Sequence, residues 1–401
     1  MIQLRHYARS SVGLLALALL ALGCARYSRG SRGTEPQNLG PAGAQKNPFE
    51  GAKLYLNPDY TAKVEQAAKD SPENTALYRK VASYPTAIWL DAIERVASVG
   101  RYLDDAKRQQ VASRQPTLTV FVVYDLPNRD CAAMSSAGEL KLSENGEERY
   151  KSEFIDPIAA QFRAHPDQPI VVILEPDSLP NLATNLGNPK CEASADAYLR
   201  STAYAINRLA QTHVSVYLDA AHAGWIGWND NRARMARIFK HVLDMAGGVH
   251  LIRGFATNVA NFTTVAEGDG KKLDRSNPCP DEHSYVHRLS DSLKRVGIKQ
   301  KGFIIDTSRD GQGGVRHKWG AWCNVKGAGL GERPRALVDE EPLDAYFWVK
   351  PPGESDGVSD PTQPRFDANC RSADSAPNAP QAGAWFPAYF ADLVRNANPP
   401  L

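Results

Sequence analysis

Short apolar runs in this chain end in residues that could do acid–base chemistry. Val123 leads into Tyr124-Asp125-Leu126-Pro127-Asn128-Arg129-Asp130, and Leu174 into Glu175-Pro176-Asp177. Leu218 leads into Asp219-Ala220-Ala221-His222, Ala256 into Thr257 and Asn258, and Ile305 into Asp306. Val349 is followed by Lys350, Glu354 and Asp356. Any single aspartate here is most simply a cap for the helix that follows. The set is harder to explain that way, because a tight Glu-Pro-Asp turn does not start a helix cleanly. Carboxylates around one cleft suit hard-cation binding or proton transfer on a neutral polar substrate. Metal-binding spacings such as HExxH or DxDxDG do not occur, and His222, three residues beyond Asp219, is a weak hint at most. The glycine runs at 311–314 and 327–331 lack a strand–turn–helix setting, and no Gly-x-Ser-x-Gly elbow occurs. Neither a metal nor a cofactor is expected.

Tryptophans accompany these acids. Trp89, Trp225, Trp228, Trp319, Trp322 and Trp348 lie near the ends of the apolar runs or in the loops beyond them. Indole faces stack on the C–H faces of pyranose rings, while carboxylates and amides read hydroxyls. Core packing is the simpler account of Trp348, inside an apolar run, and of Trp385 near the C-terminus. Carboxylates with indoles along a groove point to glycoside hydrolysis by an acid/base pair.

The elements that must position these groups alternate. Strands are expected at 118–123, 170–174, 214–218, 251–256, 302–305 and 345–349, as β-branched or aromatic runs buried on both faces. Helical spacing of alanine, leucine and arginine predicts helices at 88–103, 151–162, 195–211, 231–245 and 283–296. This order predicts an α/β fold: a parallel sheet closed or nearly closed into a barrel, with crossover helices outside and reactive groups on the carboxyl rim. The 401 residues, 42% hydrophobic and 23% charged, are ordinary for a globular chain. Lys plus Arg is 47 against 45 for Asp plus Glu, and without a charge block no nucleic-acid footprint is supported. The six cysteines form no CxxC pair, which excludes a zinc ribbon.

The N-terminus reads as a targeting segment. Arg5 and Arg9 precede an apolar stretch from Val12 to Leu22, too short to span a bilayer comfortably. Residues 1–23 are expected to be a signal peptide, and Ala21-Leu22-Gly23-Cys24 resembles a bacterial lipoprotein cleavage site in which Cys24 would be acylated. Plain signal cleavage is the alternative. Either way the mature chain is exported, secreted or lipid-anchored at the cell envelope, and its cysteines can oxidise. Residues 24–46, rich in Gly, Pro, Ser and Arg, read as a flexible linker, and 47–401 as one catalytic domain.

Two long motifs carry a resemblance. Val123 to Ala133 (VYDLPNRDCAA) and Val171 to Pro180 (VVILEPDSLP) resemble the two signatures of glycoside hydrolase family 6. The likeness continues through Tyr217 to Trp225, Trp322 to Val325, Trp348 to Gly357 and Gln381 to Phe386, and so covers nearly everything from Asn47 onward. It implies a distorted seven-stranded parallel β/α barrel that cleaves β-1,4-glucan with inversion. By this resemblance Asp177 is the general acid, Asp130 raises its pKa and joins a water chain, Tyr124 favours a distorted sugar ring, and Asp356 is the candidate base. Asp219, His222, Trp225, Trp228, Trp322, Lys350 and Glu354 match sugar-contacting positions, and Trp89 and Asn258 complete the expected substrate-binding set. The resemblance also implies the pairs Cys131–Cys191 and Cys323–Cys370, leaving Cys24 for lipid and Cys279 as a buried thiol.

The segments 132–150 and 357–380 are long for loops in a compact domain, which usually marks function. In the family such loops roof the cleft, so the expectation is processive release of cellobiose from the non-reducing end of cellulose. An open-cleft endoglucanase is the alternative, and a catalytically inactive glucan-binding lipoprotein a more distant one. A monomer is expected.

Overall fold

A computed structural model describes residues 46–266 and 273–401; the readings of residues 1–45, Cys24 included, lie outside the described residues. The strands are β1 (Lys53–Leu54), β2 (Ile88–Leu90), β3 (Thr117–Val123), β4 (Ile170–Leu174), β5 (Val214–Asp219), β6 (Gly254–Thr257), β7 (Gly302–Asp306), β8 (Arg335–Ala336) and β9 (Leu343–Phe347). The helices used below are α1 (Pro58–Asp70), α2 (Thr75–Ala82), α3 (Val99–Ser113), α4 (Asp156–Ala164), α5 (Ser178–Thr184), α6 (Pro189–Leu209), α7 (Ala223–Ile226), α8 (Asn229–Ala246), α9 (Glu282–Arg295) and α10 (Pro387–Arg395). Local chemistry sets their ends. Asn57 Oδ1 accepts from Asp59 N ahead of α1, Asp281 Oδ1 accepts from Ser284 N at α9, and Gly247 at φ 117° stops α8.

The sheet runs β1-β3-β4-β5-β6-β7-β9-β8, with β2 also on β3. β1 and β2 lie along the same edge of β3 and β8 is antiparallel, which leaves seven parallel positions, as the resemblance implies. Alternate residues serve different cores, as strand pleating requires. Val120, Val122, Val171, Ile173, Tyr217, Ile304 and Ala345 fill the inside of the curl. Phe121, Val172, Leu174, Val216, Phe255 and Phe303 pack outward in the larger apolar cluster that also takes in Leu103, Phe162, Ile206, Phe239 and Leu289 of α3, α4, α6, α8 and α9.

The barrel is not closed by a ladder among the described residues. At the seam Ala87 N donates to Trp348 O at 3.1 Å, Asn47 Nδ2 donates to Leu337 O and Asp344 O, and the Phe49 and Phe347 rings lie 6.0 Å apart.

Register levels the carboxyl ends. Val123 pairs with Leu174 and Leu174 with Leu218, so Tyr124, Glu175 and Asp219 emerge side by side. Four elements differ from expectation: the strand expected at 345–349 is Leu343–Phe347, and the helix expected at 151–162 runs as a π-helix over Tyr150–Ile155 before α4. Residues 88–103 are not one helix: Ile88–Leu90 is a strand on the outer end of β3, Ile93–Ser98 is 3-10, and α3 starts at Val99. An Ile-Trp-Leu triplet beside an open edge gains more from pairing than from a helical turn. The expected strand 251–256 is shorter, Gly254–Thr257, with Val249–Leu251 as a 3-10 turn.

Candidate active site

The loop after β3 is held by two buried side chains, Arg129 and Glu175. Arg129 donates to Ser136 O at 2.8 Å, to Asp91 O at 2.7 Å and to Tyr124 O, and its guanidinium lies 4.3 Å from the centre of the Tyr124 ring. Glu175 accepts from Asp125 N and Leu126 N, both at 3.2 Å, and from Tyr150 OH at 2.7 Å. Burial pushes Glu175 up to about 7. Thus Glu175 ties the first loop to the second and does not face the cleft. Asp130, in the left-handed region at φ 55°, ends this scaffold and accepts from Tyr124 OH at 2.9 Å. Its carboxyl is raised by burial, against the pull of Arg129 and the Tyr124 bond.

Asp177 stands at the head of α5 with φ 63°, two residues after Glu175 at φ 51°. Left-handed backbone at two non-glycine residues around one proline is costly, and such strain concentrates at functional sites. The turn is fixed by Asp177 N donating to Asp219 Oδ2 at 3.0 Å and Asn181 Nδ2 donating to Asp177 O at 2.7 Å. Burial, then the charges of Asp219, Asp130 and Asp356, raise the Asp177 carboxyl well above the ordinary range. Asp219 is itself pushed up to about 7 by burial, but the N–H groups of Asp177 and Ala221 favour its ionised form. Of this close pair Asp219 therefore ionises first and Asp177 keeps its proton. A neutral carboxylic acid beside an ionised one is the arrangement of a proton donor.

Asp356 sits differently. Arg309 Nη1 reaches both its oxygens at 2.8 Å, and Asn324 N donates to Oδ2 at 2.8 Å. Arg309 is fully buried and lies 4.2 Å from the centre of the Phe262 ring. The sequence reading did not anticipate Arg309; its only signal was a place three residues beyond the strand-end Asp306. Asp306, expected on the rim, accepts from the backbone N–H of Ala260, Ser308, Val349 and Lys350, and so is a knot joining three loops.

A cavity of about 490 Å³ opens over these groups. Trp89, Tyr124, Asp130, Asp177, His222, Trp225, Trp322, Lys350 and Asp356 line it, as expected. Trp89 Nε1 donates to Val349 O and Trp225 Nε1 to Thr184 Oγ1, so each ring is fixed by its edge. His222 is buried and pushed down to about 3, first by burial and then by Arg316, which keeps the imidazole neutral. Asp219 lies behind Asp177 and is not among the lining residues.

Besides Asp219, three expected sugar contacts are placed elsewhere. Asn258 is fully buried, and its amide is spent on Thr263 O, Asp306 O and Thr263 N; it shapes a turn at φ 60°. The Glu354 carboxylate turns to Lys63 of α1 at 2.7 Å, off the cavity wall. Trp228 also lies off that wall, its Nε1 donating to Ser276 Oγ at 3.0 Å. Conversely, Asn181, Thr184, Asn185, Asn231 and Asn261 supply polar lining that was not anticipated. Trp319, named only as an indole near the rim, packs on Gly224 so closely that a Cβ there would lie 2.1 Å from its Cε3.

Both disulfides are present, Cys131–Cys191 and Cys323–Cys370, and Cys279 is a buried free thiol to which Arg232 Nη1 donates at 3.1 Å. Each bridge anchors one long loop, and the two loops meet. Met134 N donates to Asp367 Oδ2 at 3.1 Å, and Ser135 Oγ lies 3.3 Å from Cys370 Sγ. Ala132, Ala133 and Ser136 form wall of the cavity while Met134 between them is half exposed, so the loop lies between cavity and solvent.

The family model described as Glycosyl hydrolases family 6 matches residues 49–397. Exoglucanase 3 of Agaricus bisporus is 43% identical over 357 residues, covering 88% of this chain and 80% of the relative. The 1,4-beta-D-glucan cellobiohydrolase C of Emericella nidulans is 42% identical over 365 residues, 89% and 80% of the two chains. Among solved structures, the CcCel6A catalytic domain complexed with p-nitrophenyl beta-D-cellotrioside is similar at a TM-score of 0.86 and 43% identity, covering 89% of this chain and 99% of that one. Cellobiohydrolase II (Cel6A) from Humicola insolens, in complex with glucose and cellotetraose, gives 0.84 and 38%, with 89% and 100% covered.

Proposed function

The chain belongs to glycosyl hydrolases family 6, and from that premise we propose that it is an inverting β-1,4-glucanase acting on cellulose from the non-reducing end, with cellobiose as product. The observation that carries this reading is the placing of Asp177 on the wall of a cavity that the loop at Ala132–Ser136 also lines, its carboxyl raised well above the ordinary range by burial and by the charges of Asp219, Asp130 and Asp356. Asp177 gives its proton to the departing glycosidic oxygen as the bond from that oxygen to the anomeric carbon breaks. Water attacks the opposite face of the same carbon and loses a proton to a base. Asp356 is the candidate for that base, paired with Arg309 and oriented by Asn324. Asp130 adds to the field that keeps Asp177 neutral. Tyr124, locked to Asp130 and under Arg129, presents a rigid ring surface against which a sugar can be distorted. Trp89, Trp225 and Trp322 offer stacking faces, and Lys350, His222 and the asparagines offer hydrogen bonds to hydroxyls.

Exo action accords with the exoglucanase and cellobiohydrolase relatives, and with the contact between the two long loops at Met134 N and Asp367 Oδ2. Amorphous cellulose should yield chiefly cellobiose, and carboxymethylcellulose should lose little viscosity. A steep early fall in viscosity would instead indicate internal cuts and an open cleft.

Two disulfides accord with an oxidising compartment. Residues 1–23 are read as the export signal and Cys24 as the acylated residue. Radiolabelled palmitate should enter the wild type and not Cys24→Ala; equal labelling of both would remove the anchor.

A further inference from the structure

Residues 307–334 contain no helix and no strand of the sheet, yet they carry Trp319 and Trp322 to the cavity wall. A loop without a ladder of main-chain bonds does not fix a large ring by itself. Trp89 and Trp225 are each fixed by an indole N–H bond, but the buried Trp319 Nε1 has no hydrogen-bond partner among the described residues. Its ring is held by its surroundings instead. Gly224 lies against it, where a Cβ would come 2.1 Å from Cε3. The Arg316 guanidinium lies over the ring, 5.3 Å from its centre.

Arg316 is buried, and the same guanidinium reaches across to the loop after β6. Nη1 donates to Asn261 Oδ1 at 2.9 Å, and Nη2 to Thr263 Oγ1 at 2.8 Å. Nη1 also approaches Ala321 O, between the two tryptophans, at 3.4 Å. Asn261 Oδ1 accepts from Phe262 N as well, at 2.8 Å. With its carbonyl spent twice, the Asn261 side chain keeps its Nδ2 donors for the cavity it lines. One cation thus orders an indole and an amide that belong to different loops, through bonds strengthened by its charge. That charge also acts on His222 of the cavity wall and on Glu282, which accepts from Ala223 N at 2.7 Å.

We propose that Arg316 is a positioning residue for substrate binding: by clamping the Trp319 ring and the Asn261 amide together, it sets how tightly the cavity holds a glucan on its Trp319 side. The proposal rests on the glucanase reading above. Arg316 itself is not on the cavity wall, so it acts through the two side chains that are. It takes no part in the proton transfer from Asp177.

The test compares wild type with Arg316→Met, Arg316→Lys and Trp319→Ala. Labelling with 5-fluorotryptophan gives each indole a fluorine signal, and the one missing from Trp319→Ala identifies Trp319. In Arg316→Met that signal should broaden or move toward the position of a solvent-exposed indole. The KM for cellotetraose should rise about tenfold in Arg316→Met while kcat stays within about threefold, the pattern of lost uniform binding. Arg316→Lys keeps the charge but loses the planar fork, and should fall between. Trp319→Ala should cost less in the Arg316→Met background than in the wild type, since a ring already loose has less to lose. A merely structural role would lower the melting midpoint and leave KM unmoved.

A Trp319 signal unchanged in Arg316→Met overturns the clamp. A moved signal with an unchanged KM, or with fully additive losses, overturns its role in binding. A wild type inactive on both cellotetraose and cellulose defeats the glucanase reading, while the fluorine spectrum still decides whether Arg316 orders Trp319. Melting curves identify a variant that fails to fold, and should Arg316→Met do so, Arg316→Lys carries the comparison.

Discussion

Asp177→Ala should turn over amorphous cellulose about 10²- to 10⁴-fold more slowly than the wild type, the range that a positioned general acid contributes. The loss should depend on the leaving group. A β-cellobiosyl fluoride releases fluoride without needing a proton, so on that substrate the variant should fall by about tenfold or less. Equal losses on both substrates would mean that Asp177 serves binding or folding and is not the donor. The pH profile adds a second readout. Burial and the neighbouring charges of Asp219, Asp130 and Asp356 raise Asp177, so its protonated, active form persists to higher pH than an ordinary aspartate allows. The wild-type rate should fall as pH rises through that raised value. Asp177→Asn, with no proton to lose, should show no such alkaline fall in its residual rate. An alkaline limb that survives unchanged would assign it to another group.

Arg309→Met should be the most destabilising single change in the site. The guanidinium and the Asp356 carboxylate are both buried, and the pair is bidentate. Removing one partner of a buried ion pair strands the other charge, which typically costs about 3–5 kcal/mol. Arg309 also donates to Ala260 O and lies over Phe262, so the loop after β6 loses its clasp as well. The melting midpoint should drop by several degrees. Adding Asp356→Leu to Arg309→Met should restore part of that stability without restoring turnover, because the stranded charge is gone but the candidate base is gone too. If Arg309→Met melts with the wild type, the pair contributes nothing to the fold and Asp356 needs another explanation for its orientation.

Strand-end acids were legible because strand and turn residues are local, and local spacing survives in the sequence. Their division of labour was not. Glu175 and Asp177 are two residues apart and both have positive φ, yet one is consumed by Asp125 N, Leu126 N and Tyr150 OH while the other borders the cavity. Nothing in a Glu-Pro-Asp string says which carboxylate turns inward; that depends on what the neighbouring loop offers. Asp306 and Asn258 illustrate the same point, because polar residues at strand ends are as useful for tying loops as for touching substrate. Arg309 escaped notice because its partner lies 47 residues away and an arginine near a strand end has no local signature. The strand Ile88–Leu90 was absorbed into a predicted helix, since three residues carry too little periodicity to separate β from α. The disulfide pairing was carried by family resemblance, and four cysteines alone would have left three pairings open.

The gap between β2 and β9 has a consequence for how wide the channel is. Trp89 stands on one bank of that gap and Lys350 on the other, and the Lys350 ammonium rests 5.3 Å from the centre of the indole. Because only a single main-chain bond, Ala87 N to Trp348 O, joins these banks among the described residues, side chains do most of the joining: Trp89 and Lys350 at the cavity wall, Phe49 and Phe347 in the core. Substitutions at Trp89 or Lys350 should therefore reshape the cavity wall without redrawing any strand.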